Sequence, residues 1–390
     1  MLVIGGLLSP VAYATNGDTM IAVGSQNTAL GGTGVANFVG AESAFPNPAM
    51  LGKSTGKEMT GGVMLFKPSV TNTGVTGSTA ANSTADTNFI PDVSYSNRIS
   101  DNLTYGIAMA AAAGMGVNYT DVPATQNKQG RTALSILKVV PTIAYNQGNY
   151  GLGFSPVFQY GTLAISYTGH NPDHTGDSST GLGYSLGGYY NVVPALTIAA
   201  AYNSAIAMTY GHQLSSAAAG FGQTSFVTDK LEQPAEMKAG VAYAVNDTIT
   251  VTADYRLVKW GSASGYKDFG WKDQTVIALG GKYSANGYWL GAGYNHSDDP
   301  IGVFANGTHT TDAQNGFGNF LNNMLFPAII KDSYTFGGGY SLSKELAVEG
   351  AVMIAPKVSK TVDISDVPGG TTNTTTHSQK AFEVSLRYKF

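Results

Sequence analysis

The chain has 390 residues, of which 12% are charged and 43% hydrophobic, with 50 glycines, no cysteine and a net charge of −4. The absence of cysteine excludes a disulfide scaffold or thiolate metal site, and the charge pattern gives no sign of a nucleic-acid partner. No window of 18 apolar residues follows the N-terminus, as a membrane helix would need, yet the charge content is about half that of a soluble protein. This combination is typical of a transmembrane β-barrel, whose apolar residues alternate with polar ones.

The first residues predict a cleaved targeting segment. Residues 2–8 form a short apolar run, and residues 12–14 have the small-residue spacing of a signal-peptidase site. We therefore expect residues 1–14 to be the remnant of a signal peptide, with the mature chain beginning at Thr15. A short buried strand is the alternative interpretation.

Residues 15–58 differ in composition from everything that follows them. Residues 24–36 are small and rich in glycine, and residues 45–48 contain two prolines, which disfavour a central strand. Apolar side chains such as Ile21 and Val35 argue against disorder. We predict a hatch, or plug, that packs inside a lumen; a disordered periplasmic tail is the alternative.

From residue 59 to the end, apolar and polar residues alternate with the period of a β-strand. Short polar turns and long loops follow one another, as they do in outer-membrane barrels. The pattern predicts an all-β fold, a transmembrane antiparallel β-barrel of 14 strands over residues 59–390. The predicted strands are residues 59–68, 92–100, 103–119, 135–146, 150–166, 180–191, 196–210, 236–244, 248–257, 275–284, 287–296, 332–342, 346–356 and 379–390. A barrel of this size has an open lumen unless a plug fills it.

The last strand shows the alternation without a break. Its apolar positions are Phe382, Val384, Leu386, Tyr388 and Phe390, and its polar positions are Glu383, Ser385, Arg387 and Lys389. A strand that is apolar on one face and charged on the other is expected in a barrel wall, with the apolar face towards lipid.

The alternation stops in the third predicted strand. Small residues and glycine replace it at Ala112, Ala113, Gly114, Met115 and Gly116. Glycine inside a strand often marks a bulge or a close backbone approach, so we predict a lateral opening of the wall there. Small residues that pack beneath the hatch are the alternative.

The sixth long loop, residues 297–331, contains the clearest helical pattern. Phe317, Phe320, Leu321, Met324 and Leu325 recur with the period of one helix face. Aromatic and methionine side chains adapt to varied apolar ligands, so we predict a ligand-capture surface; a helix packed over the barrel mouth is the alternative.

Charged residues on the strands have two interpretations, contact with a ligand or simple solvation of the barrel interior. Arg256 and Arg387 fall on polar strand faces and are candidate contacts for a fatty-acid carboxylate, whereas a neutral aromatic compound needs none. The six histidines lie mostly in loops, with no nucleophile motif beside them, so we predict no enzyme activity. We expect no cofactor and no metal site.

Ordered motifs resemble the FadL/toluene-X family of outer-membrane transporters of hydrophobic compounds. They are residues 24–36, Glu42, the triplet Asn47, Pro48 and Ala49, and residues 91–96, 231–236, 254–260 and 294–300. The resemblance implies a monomeric 14-stranded barrel whose hatch is anchored by the Asn47 triplet. It implies passive uptake of long-chain fatty acids or aromatic hydrocarbons, with capture by the outer loops, hatch movement and lateral release into the membrane. Proline at position 46, directly before Asn47, departs from the family pattern.

The predicted protein is thus a channel of the bacterial outer membrane, in contact with lipid and lipopolysaccharide. A general porin for small polar solutes and a structural or adhesive barrel, with Thr/Asn-rich loops at 69–88 and 361–378, are the alternatives. Fatty acid, monoaromatic, alkane and terpenoid cargoes all remain open.

Overall fold

The computed structural model describes residues 16–75, 80–121, 130–167, 175–220, 228–305, 313–367 and 369–390, except for the side chains of residues 218–220, 313–315 and 317. The predicted signal peptide, residues 1–14, lies outside them. Among the helices of these described stretches, none is long and apolar enough to cross a membrane.

The wall is one closed antiparallel sheet, and this confirms the predicted 14-stranded barrel. Its strands are β1(Lys57–Asn72), β3(Asn88–Arg98), β4(Leu103–Asn118), β5(Gly130–Gln147), β6(Tyr150–Tyr167), β7(Asp177–Val193), β8(Leu196–Asn203), β11(Glu236–Ala244), β12(Ile249–Val258), β13(Gln274–Ala285), β14(Tyr288–Ser297), β15(Asp332–Ser341), β16(Leu346–Asp363) and β17(Thr372–Lys389). A two-residue strand, β2(Ala81–Asn82), adds to β1, and β9(Ile206–Thr209) pairs with β10(Lys230–Gln233) in a separate ribbon.

The last strand closes the wall on the first. β17 pairs with β1 from Glu58↔Lys389 to Asn72↔Thr375. Closure removes the free sheet edges that would otherwise expose unpaired backbone groups, and this is the condition for a sheet to stand in lipid.

The outward face is apolar and ringed by tyrosine. Along β17 the outward Phe382, Val384 and Leu386 are exposed, whereas the inward Glu383 and Arg387 are buried. Exposed tyrosines cluster near the short turns: Tyr105, Tyr145, Tyr150, Tyr190, Tyr243, Tyr283, Tyr288, Tyr340 and Tyr388. A girdle of this kind marks the interface between lipid and water in membrane barrels.

Some strand limits differ from the sequence prediction. β16 continues to Asp363, and β17 begins as early as Thr372. Polar pairs continue the ladder there without hydrophobic alternation, for example Ser359 and Thr376, whose side-chain oxygens lie 2.8 Å apart. The predicted seventh strand is two strands, β8 and β9. The chain leaves the wall after Asn203, and Ile206 of β9 then packs where a side chain at Gly181 or Gly183 would stand.

Residues 16–56, which we call the N-terminal segment, lie against the inward face of the wall. The segment contains α1(Ser25–Ala29) and short 3-10 helices at Ala41–Ala44 and Pro48–Lys53. Side-chain or backbone hydrogen bonds tie it to five wall strands through the pairs Asn47–Gly188, Thr33–Thr252, Asn295–Gly31, Thr335–Ala29 and Ser25–Ser385.

The long-loop end is filled by a second layer that we call the cap. It consists of the β9–β10 ribbon, α2(Gln213–Gly220), residues 259–273 and α3(Ala313–Leu325). Their apolar side chains join inward residues of the wall in the largest hydrophobic core, which includes Trp260, Leu163 and Met115. The lumen is therefore occupied at both levels, by the cap and by the N-terminal segment.

Candidate transport path

A cavity lies between the N-terminal segment and the wall, below the cap. The cavity is lined by apolar residues, among them Met20, Val140 and Ile206, and by charged residues, among them Lys138 and Arg256. Its volume of about 110 Å³ gives room for several waters. Arg256 is thus at the cavity, as a ligand contact must be, whereas Arg387 is absent from its lining.

The wall beside this cavity is incompletely paired. β3 and β4 pair only from Arg98↔Thr104 to Asp92↔Ala110, although β4 continues to Asn118. The pairing of β4 with β5 shifts register between Ala111 and Ala113, which makes Ala112 the extra residue of a β-bulge. We call the unpaired stretch between the two strands the gap. The five residues predicted as a lateral opening, Ala112, Ala113, Gly114, Met115 and Gly116, lie along it.

The bulge turns this part of β4 away from the outward face. Below it, Tyr105, Ile107 and Met109 are exposed on the outside, as in any wall strand. From Ala113 to Val117 every residue is buried. The loss of alternation in the sequence therefore corresponds to a strand that is covered on both faces.

The start of the N-terminal segment pairs with the open edge of β4. Met20 N donates to Ala112 O at 3.2 Å, and Gly114 N donates to Asp18 O at 2.8 Å, around an isolated antiparallel bridge between Thr19 and Ala113. We call residues 16–23 the latch. They satisfy backbone groups of β4 that have no partner on β3.

The gap is apolar on its inner side. Ile21 and Ala22 of the latch are buried in a cluster with Ile90 of β3 and Ala111 of β4. Above it, Ala113 and other inward residues of β4 belong to the core of the cap. Inward residues of β4 therefore contribute to two apolar clusters, one at the gap and one in the cap.

Asn47 fixes the middle of the N-terminal segment. Its Oδ1 accepts from Ala49 N at 3.0 Å and caps the 3-10 helix that begins at Pro48, while its Nδ2 donates to Val35 O at 2.7 Å. The same Nδ2 lies 3.4 Å from Gly188 O of β7. The predicted triplet thus links two parts of the segment to the wall.

Glycines of the wall make room for the segment. A Cβ at Gly187 would lie 1.9 Å from Asn47 Oδ1, and one at Gly153 would lie 2.2 Å from Ala49 N. On the opposite side, a Cβ at Gly293 would lie 2.2 Å from Gly31 N. These positions explain part of the high glycine content. At each of them the missing side chain lets the backbone of the segment run directly against the backbone of the wall.

A buried ionic cluster anchors the same segment. Arg387 of β17 lies 3.2 Å from Glu42 of the segment, 2.5 Å from Glu58 and 3.0 Å from Glu349, and it also donates to Val39 O. All four charged side chains are at most 9% exposed. The structure thus places Arg387 in an anchor, away from the cavity.

Asp254 of β12 provides a second anchor. Its Oδ2 accepts from Gly34 N at 2.8 Å and from Val35 N at 2.9 Å. Sequence reasoning noted the motifs that contain Glu42 and Asp254 but not their partners, because the partners are more than two hundred residues away. The inward phase of Asp254 along its strand was the only available signal, and Glu42, in a 3-10 helix, had none.

The helix in the sixth long loop is α3, and it lies within the cap. Phe320, Leu321, Met324 and Leu325 are buried in the apolar core, and the side chain of Phe317 lies outside the described residues. Thr132 of β5 donates to Leu325 O at 2.6 Å. The four side chains are therefore covered by the core of the cap and do not form an exposed surface.

The latch reaches into the cap through Asp18. Its carboxylate is fully buried and accepts hydrogen bonds from Tyr266 Oη and from Gln233 Nε2, the latter at 2.7 Å. Burial raises the pKa of Asp18 to about 6, and the two hydrogen bonds act in the opposite direction. Sequence reasoning missed this residue, since an isolated aspartate in a polar turn carries no signal.

Comparison with known proteins agrees with this architecture. Residues 11–390 match the family model of the outer membrane protein transport proteins, OMPP1/FadL/TodX. The chain belongs to this family. It is therefore a transport protein of the bacterial outer membrane and not an enzyme, and the predicted resemblance is confirmed.

Solved structures with this fold include members of the same family. A Pseudomonas aeruginosa FadL homologue is 15% identical, with a TM-score of 0.70 over 96% of this chain and 100% of that one. The toluene transporter TodX of P. putida is 16% identical (TM-score 0.68; 95% and 99% covered), and TbuX of Ralstonia pickettii, also a toluene transporter, is 17% identical (TM-score 0.67; 95% and 98% covered). Among curated proteins, no match is found.

Proposed function

We propose that this family member takes up hydrophobic compounds passively and releases them sideways into the membrane through the gap between β3 and β4. The observation that carries the proposal is the stretch of β4 beyond Ala110, which pairs with β5 but not with β3 and borders the lumen cavity at Ala112. A cargo enters through the cap, reaches the cavity and leaves through the gap. Long-chain fatty acids and aromatic hydrocarbons are the proposed cargo classes.

A lateral exit suits the energetics of such a cargo. Moving one CH₂ group from water to an apolar environment gains about 0.8 kcal/mol, so a long chain that had to cross water would face a large barrier. The gap begins above Asp92↔Ala110, in the outer half of a wall strand that spans lipid with about 9–11 residues. A cargo that leaves the cavity through the gap would therefore enter lipid without first crossing bulk water.

We propose that the hatch, residues 15–58, is anchored in most of its length and that only the latch moves. Beyond residue 23 the segment is held by the cluster of Arg387, by Asp254 and by the seats at wall glycines. The latch meets β4 through two backbone hydrogen bonds and side chains of modest size. Its withdrawal would uncover the gap while the rest of the hatch stays in place.

The cavity suits a cargo with one polar end. For a fatty acid we propose Arg256, rather than Arg387, as the carboxylate contact, because Arg256 borders the cavity and Arg387 is engaged by three glutamates. A neutral aromatic compound would use the apolar side of the cavity instead. We also propose a monomer, since one chain closes the wall by itself.

A disulfide that locks the latch tests the exit route. Thr19 and Ala113 form a non-hydrogen-bonded antiparallel pair, whose Cα atoms are typically about 4.5 Å apart, within the range that a disulfide spans. The chain has no native cysteine that would interfere. We expect the oxidised Thr19→Cys/Ala113→Cys protein to lose uptake of radiolabelled oleate and toluene, and reduction to restore it.

The two single cysteine variants, treated with the same oxidant, are the controls and should transport normally. Normal uptake by fully cross-linked protein would show that cargo leaves by another route. Loss of only one cargo on oxidation would assign the gap to that cargo class.

A further inference from the structure

We propose that Asp18 interlocks the cap with the latch, so that the gap opens only when the cap moves. This inference rests on the proposed function, since it assigns the control of the same exit. It concerns a contact between two parts of the chain, and the contact can be measured without any cargo.

Asp18 belongs to both contacts at once. Its backbone oxygen accepts from Gly114 N at 2.8 Å and so joins the latch to β4. Its side chain accepts from Tyr266 and Gln233, which belong to the cap. A single residue thus contacts both the edge of the gap and the cap.

The cap side of this contact is rigidly packed. The ring of Tyr266 lies with its centroid 4.6 Å from that of Trp260 and 4.9 Å from that of Trp271. Trp271 Nε1 donates to Asn322 Oδ1 of α3 at 3.2 Å. The Trp260 ring also covers Gly17, where a Cβ would lie 2.4 Å from it. A displacement of α3 or of residues 259–273 would therefore reach Tyr266 and the latch directly.

The buried carboxylate of Asp18 depends on its hydrogen-bond donors in the cap. Among the described residues, Asp18 Oδ2 receives both of its side-chain hydrogen bonds from the cap, and Oδ1 has no partner. A carboxylate that loses its donors in a dry interior bears the cost of desolvation, so it must either take up a proton or move to water. When the cap opens, Asp18 is expected to leave its site, and the two backbone bonds of the latch to β4 leave with it.

Labelling of a cysteine at position 19 tests the interlock. Thr19 is buried in the closed latch, so a small maleimide reagent should modify Thr19→Cys only during opening. Tyr266→Phe keeps the aromatic packing and removes the hydroxyl. Because a hydrogen bond to a charged group is lost, we expect labelling to accelerate about tenfold in purified, folded protein.

Tyr119→Phe is the matched control, since among the described residues the buried hydroxyl of Tyr119 has no hydrogen-bond partner. Its labelling rate should equal that of the parent cysteine variant. If Tyr266→Phe does not fold, Gln233→Met removes the second donor and should accelerate labelling in the same direction. Equal labelling rates in the Tyr266, Gln233 and Tyr119 variants would overturn the interlock.

The outcome is independent of the exit route. Transport that stops in the oxidised Thr19→Cys/Ala113→Cys protein, together with unchanged labelling in Tyr266→Phe, would keep the gap as the exit and reject its control by the cap. Faster labelling with transport that is insensitive to the disulfide would keep the interlock and reject the exit.

Discussion

At the scale of single residues, Arg387 shows how one inward charge organises a lumen. It lies between Glu42, Glu58 and Glu349 and is almost completely buried. One cation among three carboxylates holds a segment from the start of the chain against its last strand. Alternation along the last strand predicted that Arg387 points inward, but it could not predict these partners.

The cluster should respond unequally to loss of its members. Arg387→Met leaves three buried glutamates without their cation, and we expect it to lower the free energy of unfolding by about 3–5 kcal/mol. Glu42→Gln should cost less, because Arg387 keeps two carboxylate partners. Denaturant unfolding of the refolded barrel in detergent measures both, and equal losses would contradict the assignment of Arg387 as the centre of the cluster.

At the scale of elements, the strands of the wall contact the N-terminal segment in two different ways. β7 and β6 present glycine at positions 187 and 153, where the segment runs closest to the wall. β4 instead loses its pairing to β3 and accepts the latch as a substitute strand. The first arrangement fixes the segment, and the second is the contact that we propose to open.

Gly187→Ala tests the fixed part. The new Cβ would lie 1.9 Å from Asn47 Oδ1, so we expect the Asn47 triplet to lose its seat and the hatch to leak. Ion conductance of the variant in planar bilayers should rise above that of the parent protein. Gly61→Ala is the control, because nothing lies within 4 Å of its Cβ in the same wall. If the conductance of Gly187→Ala were as low as that of Gly61→Ala, glycine at position 187 would not be needed to hold the segment.

At the scale of the whole molecule, the cap and the N-terminal segment fill the lumen at two levels. A general porin for polar solutes requires a water-filled channel through the same space, as the larger 16–18-stranded barrels have. The filled lumen therefore favours a gated path for hydrophobic cargo over free diffusion of polar solutes.

The parent protein should accordingly conduct very little in planar bilayers. Its N-terminal segment is anchored on five wall strands, and its cap contains the largest apolar core. Rare, brief openings are compatible with movement of the latch. Steady large currents from purified protein would instead support the porin alternative.

Much of the fold follows from local pattern. The eighth predicted strand, residues 236–244, matches β11, and the alternation around Phe382 and Leu386 gives both the wall and its outward face. The predicted strand limits were wrong where polar residues continue the pairing, namely in β16 beyond Ala355 and in β17 before Gln379. Hydrophobic alternation gives no signal for a strand there.

The sequence by itself determined the class of fold, the number of wall strands, the outward face of the last strand and the place where β4 loses its alternation. Each of these follows from the two-residue alternation of side chains along a β-strand, which depends on neighbours along the chain. The tertiary structure alone decided that Arg387 belongs to an anchor, that α3 is buried in a cap and that Asp18 joins the cap to the gap. Such contacts connect residues hundreds of positions apart, for example Ser25 with Ser385, and no local pattern encodes which inward side chains meet.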